Sequence, residues 1–385
     1  MSSGSAPAGR HRPSREHTQL LRAALLSPAD AIAEWREWRA NADVDHLEVT
    51  SYRLLPLVYW NLRGHEDAGS LATARAAYQR TWLENQKTFH HVMPAVKALH
   101  QAGIRMLLLK GAALASTCYP DPGVRPMVDF DLLVERNAAP RASAIVATLG
   151  WTPFPLRASH AHAFQSADGR ELDLHWRALS QSLAKDADEE FWRGAVTRDF
   201  QGVPVEVLCA ADQLLHVCIH GSAWSAAPPL RWVADAMTVL RQTPSLDWDR
   251  LLRQTRAHQS GLVMTAALEY LRDDFAAPIP DAVMTRLRAL PVSKAERIDF
   301  ETERVAPDSR GLTFAMWRIM RDYQRWAVGG GVRSSPLGFA RYLQQIAGIP
   351  RLWQLPFYAA ASAVKRAWRI VAAGRFVPLS QRQVD

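Results

Sequence analysis

The chain has few cysteines and no long apolar run. Its cysteines are three, an odd number, and none of them forms a C-x-x-C pair (Cys118, Cys209 and Cys218). This pattern predicts free buried thiols in a reduced, cytoplasmic setting rather than a disulfide framework. No apolar run approaches the roughly 18–20 residues that span a bilayer. We therefore predict no transmembrane segment.

The amino-terminal segment also lacks an apolar region. Residues 1–16 are basic and rich in Ser, Pro, Ala and Gly, which is typical of a disordered arm and not of a signal peptide. The overall composition, with 48% hydrophobic and 22% charged residues, is ordinary for a globular protein. A chain of 385 residues can bury a substantial core, and its length predicts about two or three domains.

The net charge of +8 is concentrated near the carboxyl end. From Val332 onward a single acid, Asp385, accompanies eight basic residues: Arg333, Arg341, Arg351, Lys365, Arg366, Arg369, Arg375 and Arg382. A basic tail predicts an anionic partner, such as a membrane surface, a nucleic acid or a phosphorylated ligand, without choosing among them.

Residues 328–385 are predicted to form a linker and a basic amphipathic helix. Glycines at 329–331 and the Ser-Ser-Pro run at 334–336 indicate the linker, and the helix is expected over residues 356–373. Its apolar stripe either makes a weak contact with an anionic membrane surface or docks on the protein with the basic side in water. We favour the second alternative.

Two helical regions are predicted, at 17–100 and 209–327, from apolar residues at helical spacing. In the first, Ser27-Pro28 is typical of a helix start, and Pro94 is expected to kink or end a long helix that begins near Leu71. In the second, helices are expected at 211–222, 229–242, 247–258, 259–274, 280–289 and 311–325.

The segment between them, residues 101–208, is predicted to be a small mixed β-sheet core. Strands are expected at 105–110, 128–134, 151–154, 160–166, 170–176 and 196–208, with a helix over about 138–149. The predicted fold class is therefore α+β, with the sheet flanked by the two helical regions.

Two acidic residues alternate in the apolar strand at 128–134. Residues two apart in a strand point to the same side, so Asp129 and Asp131 project together while Phe130 faces apolar packing. Adjacent carboxylates repel each other and are costly to desolvate, and a cation such as Mg²⁺ relieves both costs. The alternative is a strand end whose acids face water, and the D-x-D pattern alone does not decide between the two.

Features on either side of this strand favour the metal site. The strand–glycine–helix turn at Lys110-Gly111 presents backbone N–H groups to phosphate, and Lys110 adds a positive charge. Downstream, Glu171, Asp173 and His175 alternate with leucines and so share one strand face. A third carboxylate beside a D-x-D pair suits two-metal phosphoryl chemistry.

These motifs occur in a specific order. LLLKG, Y-P-x-P-G-x-RPM-x-D-x-DLLV, LDLHW, an H-x-x-x-HG helix and an RW-x-x-D helix follow one another between Leu107 and Ala236. This order resembles the uncharacterised nucleotidyltransferase family of bacteria, which belongs to the polymerase-β nucleotidyltransferase superfamily. The resemblance implies a polymerase-β-type core, with Mg²⁺ or Mn²⁺ bound by Asp129, Asp131 and Asp173. Asp173 would also help to deprotonate the acceptor.

The resemblance also implies a phosphate site. Lys110-Gly111 corresponds to the Gly-Gly or Gly-Ser turn that lies under the triphosphate in the superfamily, and Ala112 here replaces the second residue, which removes one hydroxyl contact. Arg125 matches a recurring arginine that braces the acidic strand or reaches a phosphate. A structural pair between Arg125 and a carboxylate is the alternative.

Histidines near these motifs are candidates for a supporting role. His175, His216, His220 and Asp235 are predicted to lie behind the metal ligands or to line an acceptor pocket, with a structural ion pair as the alternative for Asp235. Asp212, His216 and His220 share a helix face, but the spacing is only weak evidence for a transition metal. His160 and His162 are expected to share a strand face and to be solvent-exposed.

The predicted reaction is transfer of a nucleoside monophosphate from an NTP, ATP among them, to an unidentified hydroxyl or phosphate acceptor, with release of pyrophosphate. One alternative is a phosphotransferase on the same fold. The other is a non-catalytic nucleotide-binding or scaffold protein in a biosynthetic cluster.

Overall fold

The computed structural model describes residues 13–43, 46–154, 160–180, 182, 186, 188–221, 230–303, 312–330, 332–347 and 349–358. Five helices precede the sheet, as the apolar spacing predicts. They are α1 (Arg15–Leu25), α2 (Pro28–Asn41), α3 (Val49–Tyr52), α4 (Leu55–Leu62) and α5 (Ala72–Gln101). Ser27 caps α2 through its side chain, with Pro28 as the first helical residue. Most of the predicted disordered arm lies outside the described residues.

Pro94 does not end the long helix. It lies inside α5, which continues to Gln101. An internal proline removes one backbone hydrogen bond and costs about 3 kcal/mol or more in a helix interior. Here Met93, Ala95 and Val96 are buried in the core on either side of it. We attribute the continuation of the helix to this burial, which offsets the cost of the proline.

A mixed sheet of seven strands follows α5. The strands are β1 (Met106–Leu108), β2 (Asp129–Val134), β3 (Thr152–Pro153), β4 (Ala161–Gln165), β5 (Glu171–His175), β6 (Val196–Phe200) and β7 (Val203–Val207). Their order across the sheet is β3-β4-β5-β2-β1-β7-β6. Strand β2 therefore lies at the centre, parallel to β5 and antiparallel to β1. Three helices lie between strands: α6 (Lys110–Thr117), α7 (Ala139–Thr148) and α8 (Glu189–Gly194). The predicted α+β class is confirmed.

The strand expected over 196–208 is a hairpin. Strands β6 and β7 pair in antiparallel register with Phe200 opposite Val203. The two residues between them, Gln201 and Gly202, both have positive φ values, +51° and +83°. A two-residue turn with both φ values positive matches the twist of the flanking strands. The prediction missed it because alternating apolar residues run through both strands and Gln201 is not a typical residue for such a turn.

The two faces of the sheet have different surroundings. Phe130, Leu132, Leu172 and Leu174 form one face, which shares an apolar core with side chains from α5 and α7. The opposite face carries Asp131, Asp173 and His175 together with apolar residues such as Leu107 and Leu133. Those apolar residues belong to a second core, formed largely by helices before and after the sheet. The acidic residues thus lie on the face between sheet and helices.

The helices after the sheet are α9 (Ala210–Gly221), α10 (Arg231–Gln242), α11 (Trp248–Ala257), α12 (Gly261–Phe275), α13 (Asp281–Arg288), α14 (Lys294–Glu303), α15 (Leu312–Gly330) and α16 (Pro336–Ile346). Helices α14 and α16 were not predicted. The Ser-Pro pair that indicated a linker starts α16, because Ser335 accepts a hydrogen bond from Gly338 as the helix cap.

The carboxyl-terminal tail is only partly described. Residues 359–385, and with them most of the predicted tail helix, lie outside the described residues. Within the described part of the chain, no helix has the length and hydropathy of a membrane span.

A buried ion pair connects α9 with α11. The carboxylate of Asp212 is fully buried, and it accepts hydrogen bonds from Nε and Nη2 of Arg250 at 3.0 and 2.6 Å. Removing one partner of a buried pair leaves an uncompensated charge, whereas an exposed pair contributes little. Asp212 therefore holds two helices together.

We predict that Arg250→Met lowers the free energy of unfolding by about 3–5 kcal/mol, because it leaves Asp212 buried without its guanidinium partner. Arg286, whose bond to Asp249 is exposed, is the matched control, and Arg286→Met should cost less than about 1 kcal/mol. Urea titration followed by circular dichroism measures both variants. Equal losses in the two would contradict a structural role for Asp212.

Candidate active site

Strand register brings the acidic residues together. In the parallel pair of β2 and β5, Asp131 lies opposite Asp173, and Asp129 lies opposite Glu171. The alternating sequence of both strands turns their polar residues to one face and their leucines to the other. Asp131 is fully buried there, while Asp129 and Asp173 are partly exposed.

The carboxylate of Asp131 is bonded on one oxygen only. Its Oδ1 accepts a hydrogen bond from Lys110 Nζ at 2.5 Å and another from His175 Nε2 at 2.7 Å. Its Oδ2 is buried and has no hydrogen-bond partner among the described residues. A buried carboxylate oxygen without a donor is costly unless a ligand or a cation satisfies it. This oxygen therefore fits a metal ion.

Charges at the site act strongly on one another. Burial would raise the pKa of Asp131, but the charge of Lys110 and the hydrogen bond from His175 outweigh it and hold that pKa well below its usual range. Burial and the negative charge of Asp131 raise the pKa of Asp173. Burial opposes the charged form of Lys110, yet Asp131 and Asp129 raise its pKa. The site holds more acidic groups than one lysine neutralises, and a cation would favour the ionised form of Asp173.

One set of potential ligands lies close together among the described residues. Oxygens of Asp131 and Asp173 and a ring nitrogen of His175 lie within 4.8 Å of one another. The predicted set was Asp129, Asp131 and Asp173, so the structure groups two of its members with His175. Asp129 lies two residues from Asp131 on the same strand, and it remains a predicted ligand.

The predicted phosphate turn lies directly beside this cluster. Lys110 begins α6 with a φ of +44°, in the left-handed region that side chains other than glycine rarely adopt. The chain thus passes from β1 into the helix at this residue, with the free N–H groups of the first helical turn beside it. Ala112 is fully buried in the apolar core, which explains how the turn accommodates an alanine there.

Arg125 is bonded to Asp235. Its Nε and Nη2 each donate to one oxygen of Asp235 at 2.8 Å, and Tyr119 Oη donates to the same carboxylate. The pair is buried, and burial would lower the pKa of Arg125, but Asp235 raises it. This is the structural pair considered as the alternative for both residues. The remaining nitrogen, Nη1, lies 2.9 Å from the position that a Cβ on Gly111 would occupy.

Histidine rings surround the Lys110–Asp131 pair. The ring of His160 lies 5.6 Å from that of His175, and the ring of His216 stacks on that of His220 at 5.9 Å. His216 Nε2 donates to the carbonyl of Ala178 at 3.1 Å. Burial lowers the pKa values of His160 and His216 to about 3 and that of His220 to about 4. All three rings are therefore neutral at physiological pH.

Two sequence expectations about histidines change. His160 and His162 have different surroundings. The ring of His160 lies beside that of His175. His162, on β4, pairs with Leu174 of β5, and its ring lies near that of Phe164 on the other face of the sheet. The carboxylate of Asp212 is bonded to Arg250. Although Asp212, His216 and His220 share a helix face, they do not form a metal-binding cluster among the described residues.

Two residues near the site differ from the sequence predictions, since His160 is expected to be solvent-exposed and Arg231 has no predicted role. His160 lies one residue before β4, where the strand alternation no longer predicts its direction. Arg231 begins α10, four residues before Asp235, so both lie on one helix face. The RW-x-x-D spacing could have indicated Arg231, but only Asp235 was considered.

Two carboxylates that lie beside a lysine and the amino-terminal end of a helix are typical of proteins that bind nucleotide phosphates. The chain belongs to the uncharacterised nucleotidyltransferase family, whose model matches residues 49–275, more than half of its length. The match confirms the resemblance, and it confirms at family level that the chain is a nucleotidyltransferase-type enzyme.

Other comparisons add little. No curated protein matches the chain. Among solved structures, the antibiotic-resistance factor ANT(2'')-Ia is similar, with 14% identity and a TM-score of 0.34 over 49% of this chain and 98% of that chain. A likeness at this level does not bear on the substrate.

The buried neutral ring of His216 predicts how stability depends on pH. Its pKa is about 3 in the folded protein, below the roughly 6.5 of an unfolded chain. The unfolded state therefore binds more protons between these values, and stability falls as pH falls below about 6.5. We expect His216→Gln to reduce the slope of the unfolding free energy between pH 6 and pH 5 by about 1 kcal/mol per pH unit.

The measurement is urea unfolding at several pH values. His65→Gln is the control, because His65 is exposed in the fold. A slope for His216→Gln equal to that of the unmodified protein would show that His216 is not buried in its neutral form.

Proposed function

We propose that this protein is a metal-dependent nucleotidyltransferase that moves a nucleoside monophosphate from an NTP to a hydroxyl or phosphate acceptor, releasing pyrophosphate. One observation carries the proposal: the buried Oδ2 of Asp131 has no hydrogen-bond partner among the described residues, and Asp173 lies opposite it. Membership of the nucleotidyltransferase family supports it.

The residues present fit Mg²⁺ or Mn²⁺. Asp131 and Asp173 offer carboxylate oxygens, which both ions prefer. Asp129, two residues before Asp131 on β2, would add another. His175 uses Nε2 for its bond to Asp131, so we assign it the positioning of that carboxylate. A bound divalent ion would neutralise charge on the phosphates and stabilise the leaving pyrophosphate.

The chain's own groups would then bind and orient the reactants. The first turn of α6 and Lys110 would hold the triphosphate through N–H groups and a positive charge. The oxygen of a hydroxyl acceptor would form a bond to the α-phosphorus of the NTP. At the same time the bond between that phosphorus and the α,β-bridging oxygen would break, and pyrophosphate would leave. The acceptor proton would pass to the carboxylate of Asp173, which lies opposite Asp131 on β5 and which a bound cation would hold in its ionised form.

Rival functions predict different products. A phosphotransferase would add a phosphoryl group to the acceptor, and a binding protein would release no pyrophosphate. The test incubates the protein with each NTP, Mg²⁺ or Mn²⁺ and a lysate of its host, and mass spectrometry then identifies the adduct. A phosphoryl adduct, or binding of NTP without pyrophosphate release, would refute nucleotidyl transfer.

Cytoplasmic location and contact of the basic tail with an anionic surface remain predictions.

We predict that Asp131→Asn and Asp129→Asn each lower NTP turnover by at least about 10³-fold, because each removes a charge from the metal site. The control is Asp199, on the edge strand β6. Its side chain accepts a hydrogen bond from Gly202 in the turn of the β6–β7 hairpin. Asp199→Asn should keep full activity.

Pyrophosphate release measures the turnover, and circular dichroism verifies the fold. Near-normal turnover in Asp129→Asn would remove Asp129 from the site, and near-normal turnover in Asp131→Asn would refute the metal site itself.

A further inference from the structure

A half-buried guanidinium group near the site has no carboxylate bonded to it among the described residues. Arg231, the first residue of α10, donates from Nη1 to the carbonyl of Pro126 at 2.8 Å. Asp235 lies one helical turn further along, but its two oxygens are bonded to Arg125 and Tyr119. The positive charge of Arg231 is therefore not neutralised by a direct ion pair in the described part of the chain.

The charge of Arg231 is influenced by two further arginines. Burial lowers the pKa of Arg231 to about 10, and the like charges of Arg125 and Arg53 add to this effect, while Asp235 and Asp129 oppose it. The guanidinium still carries its charge at neutral pH. A partly desolvated cation beside a like charge is unfavourable unless an anion accompanies it. The structure thus places an arginine without a directly bonded carboxylate next to the beginning of β2.

The arginines lie on the phosphate side of the site. Nη1 of Arg125 is against Gly111, in the turn between β1 and α6. Arg231 bonds to Pro126, three residues before Asp129. Asp173 and His175 are on β5, which flanks β2 on the side away from β1. An anion held by the arginines would therefore lie near the Lys110-Gly111 turn and not near the predicted proton acceptor.

We propose that Arg231, supported by Arg125, binds the terminal phosphates of the nucleotide, and this inference rests on the proposed nucleotidyltransferase function. A guanidinium presents several N–H donors in a planar fork, which suits the oxygens of a polyphosphate better than a single lysine charge does. Arg231 would thus complete the phosphate site that the α6 turn and Lys110 begin.

The experiment is isothermal titration of the full chain with inorganic tripolyphosphate in magnesium-free buffer. We expect Arg231→Gln to raise Kd by at least 10-fold, and Arg231→Lys, which keeps the charge and loses the fork, to raise it less. Arg241 is the matched control: it is on the same helix and also donates to a backbone carbonyl, that of Leu25. Arg241→Gln should change Kd by less than 2-fold.

The outcomes separate this inference from the proposed function. Tripolyphosphate binding requires no turnover, so a loss of affinity in Arg231→Gln supports the phosphate role even if no NTP yields a product. Unchanged affinity in Arg231→Gln, or in Arg231→Lys if the first variant does not fold, would overturn the inference while leaving nucleotidyl transfer intact. A lower melting temperature with unchanged Kd, which indicates a purely structural role, would overturn it as well.

Discussion

The buried carboxylate of Asp131 is the constraint on which the site depends. Strand β2 is central in the sheet, so a charge on it is removed from water and must find partners within the protein. Lys110 and His175 supply them on one oxygen, and the second oxygen is left for a ligand. The turn from β1 into α6, the register of β5 and the neutral histidines are arranged around this one group.

A second buried contact couples the helical regions to that strand. Asp235 on α10 holds Arg125, and Arg125 lies against Gly111 at the start of α6. A side chain larger than hydrogen at Gly111 would collide with this guanidinium. The phosphate turn is therefore supported by the helices that follow the sheet.

Local patterns predicted most of the elements. Alternation identified β2 and β5, because each has one apolar face and one polar face. Predictions failed where one local signal has two outcomes. Ser335-Pro336 starts a helix as readily as it forms a linker, Pro94 is tolerated where its neighbours are buried, and a strand pattern over 196–208 contains a hairpin. Packing decides such cases, and packing is not a local property.

The sequence by itself determined the fold class and that Asp129 and Asp131 share a strand face, because alternation is a property of consecutive residues. Only the tertiary structure decided which groups meet across the sheet. Asp173 is opposite Asp131 through strand register, Arg125 is paired with a residue 110 positions away, and Asp212 turns to Arg250 instead of His216. These contacts join residues that are distant in the chain, so no spacing within one element could specify them.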